Sequence, residues 1–302
     1  MAKDSNIIHK YNNYLLLEKA LSENSIDAYM TDLAKLSTFL EKEQLTIENV
    51  TLDHLQQFIA QLYDLGINPR SVARIISGIK SFYNFLILDG YIQTDPTELL
   101  ETPKIGLKLP TVLSLEEIKS ILSQIDVSTK EGQRNRTIIE VLYSCGLRIS
   151  ELTSLKFSGL FLDEGFIKVE GKGSKQRLVP ISETAIQEIN NYLYYRNQQK
   201  AKKGSEDILF LSNRGTAISR IMVFHFIKEY TEKAQIKKTI SPHTFRHSFA
   251  THLLEGGANI RAIQLMLGHE KITTTEIYTH MDMTYLREEI ITHHPRNKNK
   301  SR

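Results

Sequence analysis

The sequence predicts a mainly α-helical protein of two domains with one small β-sheet. Three observations carry that fold class. The chain has 302 residues, enough for two domains at roughly 150 residues each. Apolar residues recur at helical spacing along most of it. Only Gly165–Ile181 alternates, with Gly171-Lys172-Gly173-Ser174 in its middle, as a hairpin does. Hydrophobic residues make up 41% and charged residues 24%, so neither a disordered nor a fibrous chain fits.

The first hundred residues read as four helices. Ile26, Tyr29, Met30, Leu33, Leu36, Phe39 and Leu40 mark one face of a helix that starts near Ser22–Asn24. Val72, Ile75, Ile76, Ile79, Phe82, Phe85 and Leu86 mark another, with Pro69 at its start and Asp89-Gly90 as its stop. Shorter helices are expected around 7–21 and 52–64. Glu101–Thr111, with two prolines and no periodicity, reads as a linker. Ser114 with Glu117 then forms a capping box ahead of Ile118, Ile121 and Leu122. Residues 132–157 read as helical, and further helices are expected near 182–201, 219–234, 243–255, 259–267 and 272–290, with a short strand at Ile208–Leu211. From Thr292 the chain is polar and basic and reads as an unfolded tail. The expected organisation is therefore a helical domain over 1–100, a linker over 101–111, a second domain over 112–291 and a flexible tail over 292–302.

The net charge of +3 conceals an asymmetry. Residues 1–108 carry 10 Lys and Arg against 14 Asp and Glu, or −4, which leaves 28 against 21, or +7, for residues 109–302. A basic half permits a polyanionic partner without requiring one. No stretch reaches the roughly 18 apolar residues of a membrane span, and the N-terminus has no apolar core of a signal peptide, so a cytoplasmic protein with no membrane partner is expected. The single cysteine, Cys145, excludes an internal disulfide and reads as a small packing residue.

Chemistry concentrates in the second half. In Ser241–Gly257 (SPHTFRHSFATHLLEGG), Pro242 suits a first helical position, so His243 and Arg246 fall one turn apart near the positive end of a helix. An anion would bind there, although a surface helix with a His and an Arg on its polar face reads the same way. His243 and His247 at a spacing of four also raise zinc, but H-E-x-x-H is absent and Arg246 sits beside the pair. No metal site and no cofactor is expected. Arg148, with Glu151 three residues on, could orient a guanidinium or be an ordinary ion pair on a helix. Lys172 in its glycine turn, His269 after the capping Gly268, and Tyr278 in TTTEIYTH each have a plain structural alternative as well. Their joint order is the informative feature. Two arginines, a lysine, histidines and a phenol suit attack on a phosphodiester.

In that order the residues resemble the tyrosine recombinases of the phage-integrase family, and more narrowly the bacterial Xer-type site-specific recombinases. Arg148 in GLRISEL matches the family's first arginine and Glu151 the acidic residue after it. Lys172 in GKGSKQRLVP matches the hairpin lysine, His243 and Arg246 the H-x-x-R pair, His269 in LGH the His-or-Trp position, and Tyr278 the nucleophile. SENSIDAYMTDL and LPTVLSLEEI extend the likeness over nearly the whole chain.

The resemblance implies a helical, SAM-like core DNA-binding domain and a mixed α/β catalytic domain forming a C-shaped clamp on double-stranded DNA. It implies strand cleavage and rejoining through a 3′-phosphotyrosyl intermediate without metal or ATP, by a homo- or hetero-tetramer with a sibling recombinase on two duplexes. The helix beyond Tyr278 is then expected to dock on a neighbour. A Xer-type role in resolving chromosome dimers at cell division, under a septal DNA translocase, is expected. With a first helix near residue 7 there is no room for the extra arm-binding domain of many mobile-element integrases, which is the alternative role; a non-catalytic DNA-binding factor is the alternative of another class. Arg70, Arg74 and Lys80, which fall off the apolar stripe, and Arg220 at a helix start are candidate phosphate contacts.

Overall fold

The structure, a computed structural model, describes residues 2–103, 106, 111–171, 175–268 and 280–297. The chain divides into two compact units, Met1–Lys108 and Leu109–Arg302, each with its own apolar core. No helix among the described residues is long and apolar enough to cross a membrane.

The first unit is built from α1 (Ala2–Leu17), α2 (Glu23–Lys42), α3 (Leu52–Asp64) and α4 (Pro69–Leu88). Every residue of the α4 stripe is buried, from Val72 to Leu86, and Ile26, Leu33, Leu36, Phe39 and Leu40 of α2 are buried with them. Asn68 caps α4 by accepting the Arg70 N–H, and Pro69 occupies the first turn, where a missing N–H costs nothing. The first helix lies earlier than the 7–21 expected: Ala20 adopts a positive φ, and the chain turns before it reaches Leu21.

In the second unit, α5 (Leu115–Ser123) starts on the expected capping box, with the Glu117 carboxylate accepting the Ser114 N–H at 2.7 Å. The helical stretch expected over 132–157 is α6 (Lys130–Cys145), a turn, α7 (Ile149–Thr153) and a 3-10 turn at Phe157–Gly159. The break falls at Gly146, whose left-handed φ of 60° ends α6. The hairpin expected at 165–181 is β2 (Phe166–Glu170) with β3 (Gln176–Pro180), and β1 (Leu160–Phe161) adds to its edge in the antiparallel order β1-β2-β3. Ile208–Leu211 is not a strand; it makes single bridges, Lys156 to Ile208 and Leu211 to Ala217, around the buried Leu209 and Phe210. Then follow α8 (Glu183–Gln198), α9 (Arg220–Lys233), α10 (Pro242–Glu255), α11 (Ile260–Leu267) and α12 (His280–His293). Residues 272–279 of the last predicted helix lie outside the described residues.

Leu286 and Ile290 of α12, the helix beyond Tyr278, are buried in the core of the second unit. The flexible tail expected from Thr292 is corrected as far as Asn297, where the segment is held to that unit. His294 is fully buried against the rings of Tyr143 and Phe249. Arg296 forms an ion pair with the buried Glu140, Nε to Oε1 at 2.9 Å. Asn297 accepts the Glu183 N–H and donates to the Ile290 carbonyl, which stitches the segment to α8 and α12. Its polar composition reads as solvated only because the groups that pair with it stand far away in sequence.

Candidate active site

The site begins where α6 ends. Because Gly146 takes the left-handed conformation, the chain reverses and places Arg148 just before α7. An added Cβ at Gly146 would run into the Phe249 ring, so glycine is required for space as well as for φ. Glu151 then folds back: its Oε2 accepts the Arg148 N–H at 2.9 Å and its Oε1 accepts Arg148 Nη1 at 2.8 Å. From α10, Arg246 donates Nη1 to the Gly146 carbonyl at 2.7 Å.

The C-terminal end of α11 organises these guanidinium groups. Three consecutive backbone carbonyls each take an arginine from a different element. Met266 O accepts Nε of Arg177 (β3) at 3.1 Å, Leu267 O accepts Nη2 of Arg246 at 2.6 Å, and Gly268 O accepts Nη2 of Arg148 at 3.0 Å. Gly268 turns the chain with φ 65°, and a Cβ there would meet the Arg177 guanidinium carbon at 3.0 Å. The last carbonyls of a helix lack internal partners and carry its negative dipole end. They therefore offset part of the repulsion among three cations held close together.

One carboxylate serves the cluster. Arg177 forks onto Glu151, Nη1 to Oε1 at 2.7 Å and Nη2 to Oε2 at 3.0 Å. Burial pushes the Glu151 carboxyl up, but the bonds from Arg177 and Arg148 outweigh it and hold the group below the usual carboxylate range. Three guanidinium groups against one carboxylate leave about two positive charges. Arg246 is pulled down to about 10, first by burial and then by Arg148, and so stays protonated at neutral pH. The Arg148 side chain is 39% exposed, Arg177 only 9%. The arrangement presents a half-open cationic face suited to an anion with several oxygens.

His243 stands exposed one turn before Arg246 on α10. Lys172, His269 and Tyr278 lie outside the described residues. His252, further along α10, pairs through Nδ1 with the Tyr143 hydroxyl at 2.8 Å. Cys145 is fully buried, which pushes its thiol up. Of the candidate phosphate contacts, Arg70 and Arg220 are exposed and Lys80 half-buried. Arg74 has an internal partner, the fully buried Asp32 carboxylate, and reaches the Ala28 carbonyl.

Arg177 is the site residue that sequence reading passes over. Its signal is a charged residue on a short strand, opposite the buried Val169 in the register, where an apolar side chain would be expected.

Comparison with known proteins places this geometry in a family. Residues 111–284 match the model described as "Phage integrase family", and residues 8–90 that of "Phage integrase, N-terminal SAM-like domain". The chain is 42% identical over 291 residues to "Tyrosine recombinase XerD" of Staphylococcus haemolyticus (strain JCSC1435), covering 96% of this chain and 99% of the relative. Its counterpart in Staphylococcus saprophyticus subsp. saprophyticus is 43% identical with the same coverage. Among solved structures, the XerH site-specific recombinase bound to its difH substrate before cleavage superposes with a TM-score of 0.66 at 26% identity, covering 84% of this chain and 76% of that one. A lambda integrase (75–356) dimer on a COC′ core site reaches 0.69 at 17% identity, over 90% of this chain and 98% of that one.

Proposed function

The chain belongs to the phage integrase family and is a Xer-type tyrosine recombinase acting in site-specific DNA recombination, and from that premise we propose that Tyr278 cleaves one DNA strand while Arg148 and Arg246 clamp the scissile phosphate. The observation that carries this assignment is the pair of guanidinium groups fixed on the Leu267 and Gly268 carbonyls beside the shared carboxylate of Glu151. Two arginines on the non-bridging oxygens lower the cost of the pentacovalent state.

In this reading Tyr278 Oη attacks the phosphorus, and the bond from phosphorus to the 5′ oxygen breaks. Lys172 gives its proton to the departing oxygen, and His243 takes the proton of the nucleophile. His269 donates to a non-bridging oxygen. The products are a 3′-phosphotyrosine and a free 5′-hydroxyl, with the number of phosphoester bonds unchanged, so no ATP is consumed. A 5′-hydroxyl from a second duplex then attacks the adduct, releases Tyr278 and joins the strands into a Holliday junction. Four protomers on two duplexes, with a sibling recombinase in the hetero-tetrameric case, would carry this through both strand pairs. Chromosome-dimer resolution in the cytoplasm, under a DNA translocase at the septum, is the role proposed for it. Arg70, Lys80 and Arg220 are proposed phosphate contacts, with Arg74 contributing what its pairing to Asp32 leaves.

A nicked suicide duplex carrying the host's recombination site, incubated with the protein in EDTA, tests the chemistry. A covalent protein–DNA band is expected on a denaturing gel, and none with Tyr278→Phe. A band that persists in Tyr278→Phe, or one that requires added metal, would overturn the assignment.

A further inference from the structure

We propose that Arg177 is a positioning residue for strand cleavage, acting through Glu151 to leave the Arg148 guanidinium free to take the phosphate; this rests on the clamp reading of Arg148 given above. All three guanidinium nitrogens of Arg177 are engaged, Nε on Met266 O and the two terminal ones on the Glu151 oxygens, and its side chain is almost wholly covered. Three of its five N–H bonds are thus spent, and its low exposure gives the other two little access to a phosphate. Arg148 differs. One terminal nitrogen meets Glu151 Oε1, the other meets Gly268 O, Nε carries no partner among the described residues, and 39% of the side chain is exposed.

The carboxylate is the point of competition. A buried anion facing a single guanidinium forms a closed one-to-one pair, with the charge of that arginine turned inward. Here each oxygen of Glu151 accepts twice: Oε1 from Arg148 Nη1 and Arg177 Nη1, Oε2 from the Arg148 N–H and Arg177 Nη2. Arg177 thus neutralises Glu151 from behind, while Glu151 still fixes the direction of Arg148. The same arginine ties β3 to the end of α11, whose next two carbonyls hold Arg246 and Arg148. A lysine cannot reproduce this, because an ammonium lacks the planar fork that spans two carboxylate oxygens and a carbonyl.

Arg177→Met and Arg177→Lys are measured in single-turnover cleavage of the full-length protein on a suicide duplex. One substrate carries the natural scissile phosphate and the other a methylphosphonate, in which a methyl group replaces a charged non-bridging oxygen. On the phosphate, Arg177→Met is expected to cleave about 10²-fold more slowly with unchanged DNA affinity, the scale of loss that a misplaced catalytic group brings. Arg177→Lys is expected to fall between. On the neutral methylphosphonate, Arg148 has less charge to offset, and the deficit should shrink to within about tenfold. A merely structural role would not distinguish the two substrates. A deficit that stays near 10²-fold on both, with binding and fold intact, overturns the proposal. Should Arg177→Met fail to fold, Arg177→Lys is judged by the same two substrates. Absence of any adduct from the unaltered chain would overturn the parent reading, and this inference with it.

Discussion

At the scale of single residues, buried ionisable groups govern how the catalytic half responds to pH, and they pull in opposite directions. Glu151 sits below the usual carboxylate range, so it contributes stability that is present above pH about 4.5 and lost as pH falls further. Glu140 is pushed up by burial despite Arg296 and the Ser144 hydroxyl, and its cost grows as pH rises. His294 gives the clearest signature. Burial, followed by the charges of Arg296 and His252, lowers its imidazole to about 3, and its Nε2 is buried without a hydrogen-bond partner among the described residues. A histidine lowered in the folded state contributes fully above its free value near 6.5, and that contribution is lost as pH falls towards the folded value. Urea unfolding should therefore lose stability by about 1.4 kcal/mol per pH unit between roughly pH 6.5 and 4 through this residue. His294→Phe, which keeps the ring among Tyr143 and Phe249, should flatten the curve by that amount. Equal slopes in the two proteins would count against the assignment.

At the scale of elements, the helices that were legible are those with one apolar face, and the features that were not depend on partners distant in sequence. The stripes of α2 and α4, the Ser114 capping box and the hairpin follow from local spacing and local hydrogen bonds. The residues 132–157 hid a break, because α6 is polar by composition and yet buried around most of its surface. Gln133, Asn135, Thr137 and Glu140 lie inside, paired with groups on α8, α9 and the segment after α12, and Ser144 bonds Glu140 and the Ser182 hydroxyl rather than water. At the candidate site, Arg148, Glu151 and Arg246, which the structure brings to one place, stand in motifs that the sequence displays. Arg177 was not, since its partners come from α7 and α11. The joint between α6 and α7 invites a direct check. Gly146→Ala would force a side chain into the left-handed region and against Phe249, at a cost of about 2–4 kcal/mol. The melting temperature should drop by roughly ten degrees, and cleavage should fall as well, because the Gly146 carbonyl holds Arg246. An unchanged melting temperature would show that the turn tolerates a Cβ.

At the scale of the whole molecule, separate cores and unequal charge divide the labour between the two units. Made as independent chains, residues 1–108 and 109–302 should each unfold cooperatively, since no residue is shared between the two apolar clusters. Non-specific duplex affinity should fall steeply with salt for the second chain, which carries +7, and weakly for the first, which carries −4. The dependence will be milder than +7 suggests, because Arg134 and Arg196 are spent on buried backbone carbonyls and Arg177 on Glu151. Arg220→Gln in the full chain should reduce the salt slope by about 1 without moving the melting temperature; an unchanged slope would remove Arg220 from the DNA contact. The anchored chain end also bears on the order of synthesis. Residues 1–108 leave the ribosome with everything their core needs, whereas the buried Glu140 carboxyl waits for Arg296, which emerges only after α7 to α12, before it meets its cation. The unit that holds Arg148 and Arg246 is thus sealed only after α12 has emerged, and a chain cut short before Arg296 would leave Glu140 buried without that cation.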